Sequence, residues 1–134
     1  MMLGLKTADD FILRHPTFKV SCAVNIHHCL VDLKQFKNVK MTGCGVGKNQ
    51  KLYLLDPVGN IRLCNFSSIN IGNILKKSFD EIVSSKKAKD FISAHPIYCE
   101  GCSDLIRCQG GCKASADNSF GSPYMEDDWL RKYK

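Results

Sequence analysis

The sequence lacks any apolar run approaching the ~20 residues of a membrane-spanning helix, so no membrane partner is expected. Its start, Met1-Met2-Leu3-Gly4-Leu5-Lys6, has neither the charged opening nor the long apolar stretch of a secretory signal. No tract is rich enough in Pro, Gly or Ser to predict disorder or a linker, and no internal repeat is visible. Aromatic residues are sparse, at 9%, and do not interleave with the basic groups. A nucleic-acid partner is therefore not expected, despite a formal charge of +6. No Ser/His/Asp arrangement stands out, so nothing points to hydrolysis. Gly43-Cys44-Gly45-Val46-Gly47-Lys48 looks like a phosphate loop but lacks the G-x4-G-K-[ST] spacing, which removes nucleotide binding from the expectations.

What is abundant is cysteine: eight in 134 residues. A chain of this length and 44% hydrophobic content can bury one modest core, so packing alone does not explain so many thiols. Three readings are open: disulfides, zinc, or iron–sulfur clusters. Disulfides need an oxidising compartment, and with no export signal the expected location is cytoplasmic, where metal is favoured. Metal also revises the charge. A cluster core of about +2 held by four thiolates is about −2 overall, so two such sites would leave the chain only mildly basic.

The hydrophobic pattern predicts a mixed α+β unit, a small β-hairpin plus short helices, which the cysteines would organise around metal sites. Residues 7–14 read as a short helix capped by Thr7 or Asp9 and stopped by Pro16. Phe18, Val20, Cys22, Val24 and Ile26 alternate as in a strand. Residues 51–64 read as a hairpin turning at Asp56-Pro57-Val58-Gly59-Asn60. Ser78-Phe79-Asp80-Glu81 is a capping box opening a helix with Phe79, Ile82 and Val83 on one face. Ser84-Ser85 breaks it before a second segment, Lys86 to Ala94, that buries Phe91 and Ile92. Residues 97–112 are too polar and Gly-rich for a regular element, and the tail is helical around Trp129 and Leu130. His15 and His95 are read as helix-end caps, Trp129 as a core plug, and His27 and His28 as ordinary loop or edge residues.

Cys99-x2-Cys102-x5-Cys108-x3-Cys112 is the dense cysteine group. C-x2-C is a chelate spacing, because a turn points both sulfurs at one centre. Upstream stand Cys44-x14-Gly59-x4-Cys64. Together the two groups resemble the cysteine pattern of the SPASM domain, the C-terminal auxiliary-cluster domain of radical S-adenosylmethionine enzymes that mature peptides, sulfatases and redox cofactors. Gly72-Asn73-Ile74, Ser78-Phe79-Asp80-Glu81-Ile82 and Gln109-Gly110-Gly111-Cys112 look like further stretches of that family. The likeness covers roughly residues 41–120, with residues 1–40 as an N-terminal helix/strand extension, either new or a remnant of a preceding barrel domain, and 41–134 as the SPASM-like domain.

The resemblance implies two iron–sulfur clusters, usually 4Fe–4S. Cys44, Cys64 and Cys112 would serve the first, and Cys99, Cys102 and Cys108 the second. The family's last ligand to the second cluster is expected beyond Cys112, where residues 113–134 hold no Cys. Asp127 and Asp128 lie near that place and are ligand candidates, against the reading that each is a solvated surface acid. Cys29 is a candidate fourth ligand of the first cluster, whereas Cys22 is read as a small buried residue. The C-x3-C-x2-C motif that cleaves S-adenosylmethionine is absent from this sequence. The expected function is therefore an auxiliary cluster module for electron transfer and substrate docking, not catalytic by itself. Its expected partners are a radical S-adenosylmethionine catalytic domain, in cis or in trans, and a peptide or protein substrate. A structural zinc-binding interaction module is the alternative.

Overall fold

In the computed structural model of the chain, which describes residues 2–46 and 52–133, short helices surround two small sheets. Helix α1, Met2–Arg14, starts earlier than its sequence signals, so Thr7 and Asp9 lie inside it rather than capping it. Asp9 instead accepts hydrogen bonds from the backbone N–H groups of Asn38 (2.6 Å) and Val39 (3.1 Å), fixing the helix to the chain that returns beside it. The expected strand over residues 18–26 shrinks to β1, Ser21–Cys22, which pairs in parallel with β2, Lys40–Met41. Its alternation is not that of a half-buried strand: Phe18, Val20 and Val24 face solvent, Cys22 is half-buried, and only Ile26 is fully buried.

The hairpin forms from β3, Leu54–Leu55, and β4, Asn60–Arg62, antiparallel with Leu54 opposite Arg62. Lys51, at the start of the predicted arm, lies outside the described residues, as do Gly47 and Lys48 of the 43–48 loop. The Asp56 carboxylate accepts from the N–H groups of Val58 and Asn60, and Gly59 takes the positive φ (88°) that the turn requires. A third strand, β5, Gly72–Asn73, pairs with β4; two residues are too few to leave a periodic signal.

The capping box is present as read. Ser78 Oγ accepts from the Glu81 N–H, and the Glu81 carboxylate accepts from the Ser78 N–H, opening α2, Phe79–Val83. Ile82 is buried, while Phe79 is exposed and stacks edge-on against Tyr53. Ser85 caps α3, Lys86–Ser93, and buries Phe91. The His95 ring lies 2.7 Å from the Ser93 carbonyl at its end, as a capping histidine should.

The stretch 97–112 is more regular than its composition predicts: a 3-10 turn at Ile97–Cys99 and one turn of helix, α4, Leu105–Cys108. Helix α5, Lys113–Phe120, is weakly amphipathic and was not foreseen. Helix α6, Asp128–Tyr133, forms as expected, but its buried anchor is Leu130. Trp129, expected as the core plug, is 39% exposed.

Two apolar clusters result. Leu5, Ile12, Ile26, Val31, Phe36 and Val39 pack together in the N-terminal third, with Cys22 half-buried beside them. Val46, Ile61, Leu63, Ile71, Ile82, Ala88 and Phe91 form the second, with Cys44 and Cys64 against its edge.

Candidate metal centre

None of the eight cysteines is in a disulfide. Cys44, Cys64 and Cys112 come from three separate places: the loop after β2, the end of the hairpin, and the start of α5. They nevertheless line one small cavity with Asn25, Val46, Phe91, Gly111, Lys113 and Ala114. The Val46 N–H points at the Cys44 sulfur (3.4 Å), and the Cys44 N–H is held by Asn25 Oδ1 (2.8 Å). Burial pushes the Cys112 thiol up; the N–H groups of Ser115 and Ala114 oppose this, and the nearby Cys44 and Cys64 sulfurs reinforce it. Three thiols gathered at one cavity are the ligands a soft, multivalent cation prefers.

Lys113 is buried beside this group, its Nζ donating to the Gln109 carbonyl at 3.0 Å. Burial holds it below the usual lysine range, while the Cys44, Cys108 and Cys112 sulfurs pull the other way. A buried ammonium next to thiolates offsets the net negative charge that a thiolate-bound centre carries.

Cys99, Cys102 and Cys108 follow one another around the 97–108 turn. The Cys102 N–H donates to the Cys99 carbonyl at 3.1 Å. Cys99 is half-buried, Cys102 exposed and Cys108 buried. Burial would raise the Cys108 thiol, but the His27 ring and the N–H groups of Gly110 and Gly111 outweigh it and hold the thiol below its ordinary value.

His27 lies in the loop after β1, as expected, but it is no ordinary loop residue: it is buried at 2% exposure, with Nε2 2.9 Å from Asp127 Oδ2. Burial lowers its pKa, yet the Asp127 carboxylate and the Cys108 sulfur together raise it to about 9. No local signal reveals this, because Asp127 lies a hundred residues further on. His28 goes elsewhere, its Nδ1 3.5 Å from Asp104 Oδ1.

The two acids of the tail also separate. Asp127, 1% exposed, is not a solvated surface acid. Its Oδ2 accepts from the Cys112 N–H (2.9 Å) and faces His27, and its Oδ1 accepts from the Leu130 N–H (3.0 Å). Burial raises the Asp127 carboxyl, but these partners outweigh it and hold it below the ordinary range. Asp128 is exposed and accepts from Ser119 Oγ at 2.7 Å.

Gly111 explains how the pieces meet. At φ 92° its missing side chain leaves room for the His27 ring, and a Cβ there would stand 2.6 Å from Asp127 Oδ2. Gly111→Ala should therefore lose more stability than the backbone strain alone, roughly 1–3 kcal/mol. Gly101→Ala supplies the control, since Gly101 shares the positive φ (76°) but has nothing within 4 Å. Equal shifts in urea midpoint for the two variants would show that the His27–Asp127 contact does not depend on Gly111.

Among the described residues, no three His, Cys, Asp or Glu side chains converge closely enough to hold a single metal ion. The chain is thus a domain of mixed α and β structure that gathers three of its cysteines at one cavity. Residues 44–109 match the model of the SPASM family, an iron–sulfur cluster-binding domain, and this chain carries a SPASM domain. Cys112 stands three residues past that match and completes the cavity. The chain is also 24% identical over 88 residues to a cysteine-type anaerobic sulfatase-maturating enzyme of Clostridium novyi (strain NT), covering 61% of this chain and 24% of that protein. It thus spans about a quarter of that relative's length. No solved structure matches it significantly. No helix of the described residues is long and apolar enough to cross a membrane.

Proposed function

We propose that this chain is an auxiliary module with two iron–sulfur clusters, both 4Fe–4S, serving a radical S-adenosylmethionine catalytic domain in cis or in trans. Cys44, Cys64 and Cys112 hold the first cluster, and Cys99, Cys102 and Cys108 hold the second. The observation that carries the reading is the convergence of Cys44, Cys64 and Cys112 on one cavity inside a matched cluster-binding family. When bound, each cluster supplies one-electron acceptance and donation.

The chain's own groups prepare the sites. Lys113 balances thiolate charge beside the first set. His27 and the Gly110 and Gly111 N–H groups hold the Cys108 thiol below its ordinary value, which eases the proton loss that metal binding requires. In this reading the module docks a peptide or protein substrate and relays its electron, acts in a reducing cytoplasm that keeps the thiols available, and performs no catalysis alone. The relative's printed name, a sulfatase-maturating enzyme, suits a protein substrate.

Anaerobic reconstitution with ferrous iron and sulfide tests it. The expected product is brown, absorbs broadly near ~400 nm and holds about eight iron atoms per chain. A colourless protein that takes up zinc and no iron would favour the structural zinc module instead.

A further inference from the structure

We infer that Asn25 is the positioning residue of the Cys44, Cys64 and Cys112 site: one buried carboxamide, from outside the matched family stretch, sets the Cys44 loop against the turn that carries Cys112. The inference rests on the cluster reading above and adds to it a residue that supplies no ligand.

Cys44 and Cys112 lie far apart in the sequence, and neither is inside a helix or strand. Backbone pairing therefore does not fix one against the other. Asn25, 8% exposed, bonds to both segments. Its Oδ1 accepts from the Cys44 N–H at 2.8 Å, across 19 residues, and its Nδ2 donates to the Gly111 carbonyl at 3.4 Å, across 86. An N–H needs an acceptor and a carbonyl needs a donor, so the two partners fix which end of the carboxamide faces each. Asn carries both functions on one short, uncharged side chain. An ionised Asp has no donor for Gly111, and an aliphatic residue serves neither partner.

The loop held by Oδ1 is also the one that presents the Cys44 sulfur. Gly43 takes a positive φ (65°), and a Cβ there would stand 3.4 Å from Asn25 Oδ1, so the carboxamide lies in contact with the turn. Just beyond it the Val46 N–H donates to the Cys44 sulfur at 3.4 Å. Asn25 lines the cavity of the three sulfurs, and Asn25 and Cys44 also line an open groove of about 510 Å³. The carboxamide thus forms part of the partition between groove and cavity. Hydrogen bonds to ligand sulfurs and solvent exposure both set a cluster's potential, so Asn25 acts on the first site through Cys44. The same segment carries Cys29, the candidate ligand of this site by sequence, but Cys29 is exposed and does not line the cavity.

The full chain, reconstituted anaerobically with ferrous iron and sulfide, provides the test through two readouts. In the loaded protein, Asn25→Ala should speed exchange of the Cys44 amide roughly tenfold, the loss expected from one hydrogen bond. In the reduced protein, Asn25→Ala should shift the paramagnetic resonance signal that Cys44→Ser disturbs and leave the one that Cys99→Ser disturbs. Asn25→Asp keeps the volume and the Cys44 acceptor but lacks the Gly111 donor when ionised. It should keep the Cys44 amide protected and still shift the first signal, and it carries the test if Asn25→Ala loses too much stability to load. Thr42→Ala, which removes only the hydroxyl bond to the Cys22 carbonyl, should move neither signal. An unchanged Cys44-linked signal in the Asn25 variants, or the same shift in Thr42→Ala, would overturn the assignment and leave the cluster reading standing. A native chain that takes up no iron would overturn both.

Discussion

Replacing Asp127 with Ala should cost about 3–5 kcal/mol of stability, the usual loss when one member of a buried charge pair is removed. The reason is the number of buried groups that one carboxylate satisfies. His27, 2% exposed, would be left without its counter-charge, and the Cys112 N–H without its acceptor. The Leu130 N–H at the start of α6 would lose its cap. Asp128→Ala is the matched comparison: it removes one exposed contact to Ser119 and should cost less than ~1 kcal/mol. The pair also predicts a pH dependence. Because the folded pKa of His27 is raised to about 9, its stabilisation is complete below about pH 6.5 and fades as pH rises through 9. Asp127, held below its ordinary value, contributes above about pH 4 and loses its contribution as pH falls through the lowered value. Urea midpoints across this range, for the native chain and for His27→Gln, measure both limbs. Equal stability of Asp127→Ala and Asp128→Ala would show that the buried pair contributes nothing.

Removing bound metal should melt residues 97–112 while the hairpin and α2 stay folded. Ordering backbone costs roughly 1–2 kcal/mol per residue, and this stretch buries little to offset it. Two of its three aliphatic side chains, Ile97 and Ile106, are 80% and 87% exposed. Its short turns close on local N–H to carbonyl bonds such as Cys102 to Cys99 and Gly111 to Cys108. The hairpin and α2 differ, since Ile61, Leu63 and Ile82 are buried together in the second apolar cluster. Amide hydrogen exchange before and after chelation reads this directly. Protection should vanish at 97–112 and persist at Ile61, Ile71 and Ile82. Unchanged protection at 97–112 after complete metal removal would show that His27, Asp127 and the chain itself suffice to order the loop.

Local chemistry was legible wherever neighbours in sequence are neighbours in space. The Ser78–Glu81 capping box, the Ser85 break, the Asp56–Asn60 turn and the helix at 128–133 all rest on contacts within a few residues. The cysteine spacing likewise carried the cluster-binding family, because C-x2-C and the glycines around it are a short-range pattern. Periodicity misled at 18–26, where alternating apolar residues predict a strand. A strand needs a partner along its length, and only Ser21 and Cys22 find one, at Lys40 and Met41. Composition misled at 97–112, where polar content hid two short helical turns. What only the tertiary structure decided is the set of contacts across long sequence separations. It placed Asn25 on Cys44 and Gly111, His27 on Asp127, and Cys44 with Cys64 and Cys112 around one cavity. Such contacts depend on how loops close over the two apolar clusters, and no residue pattern within a single segment records that closure.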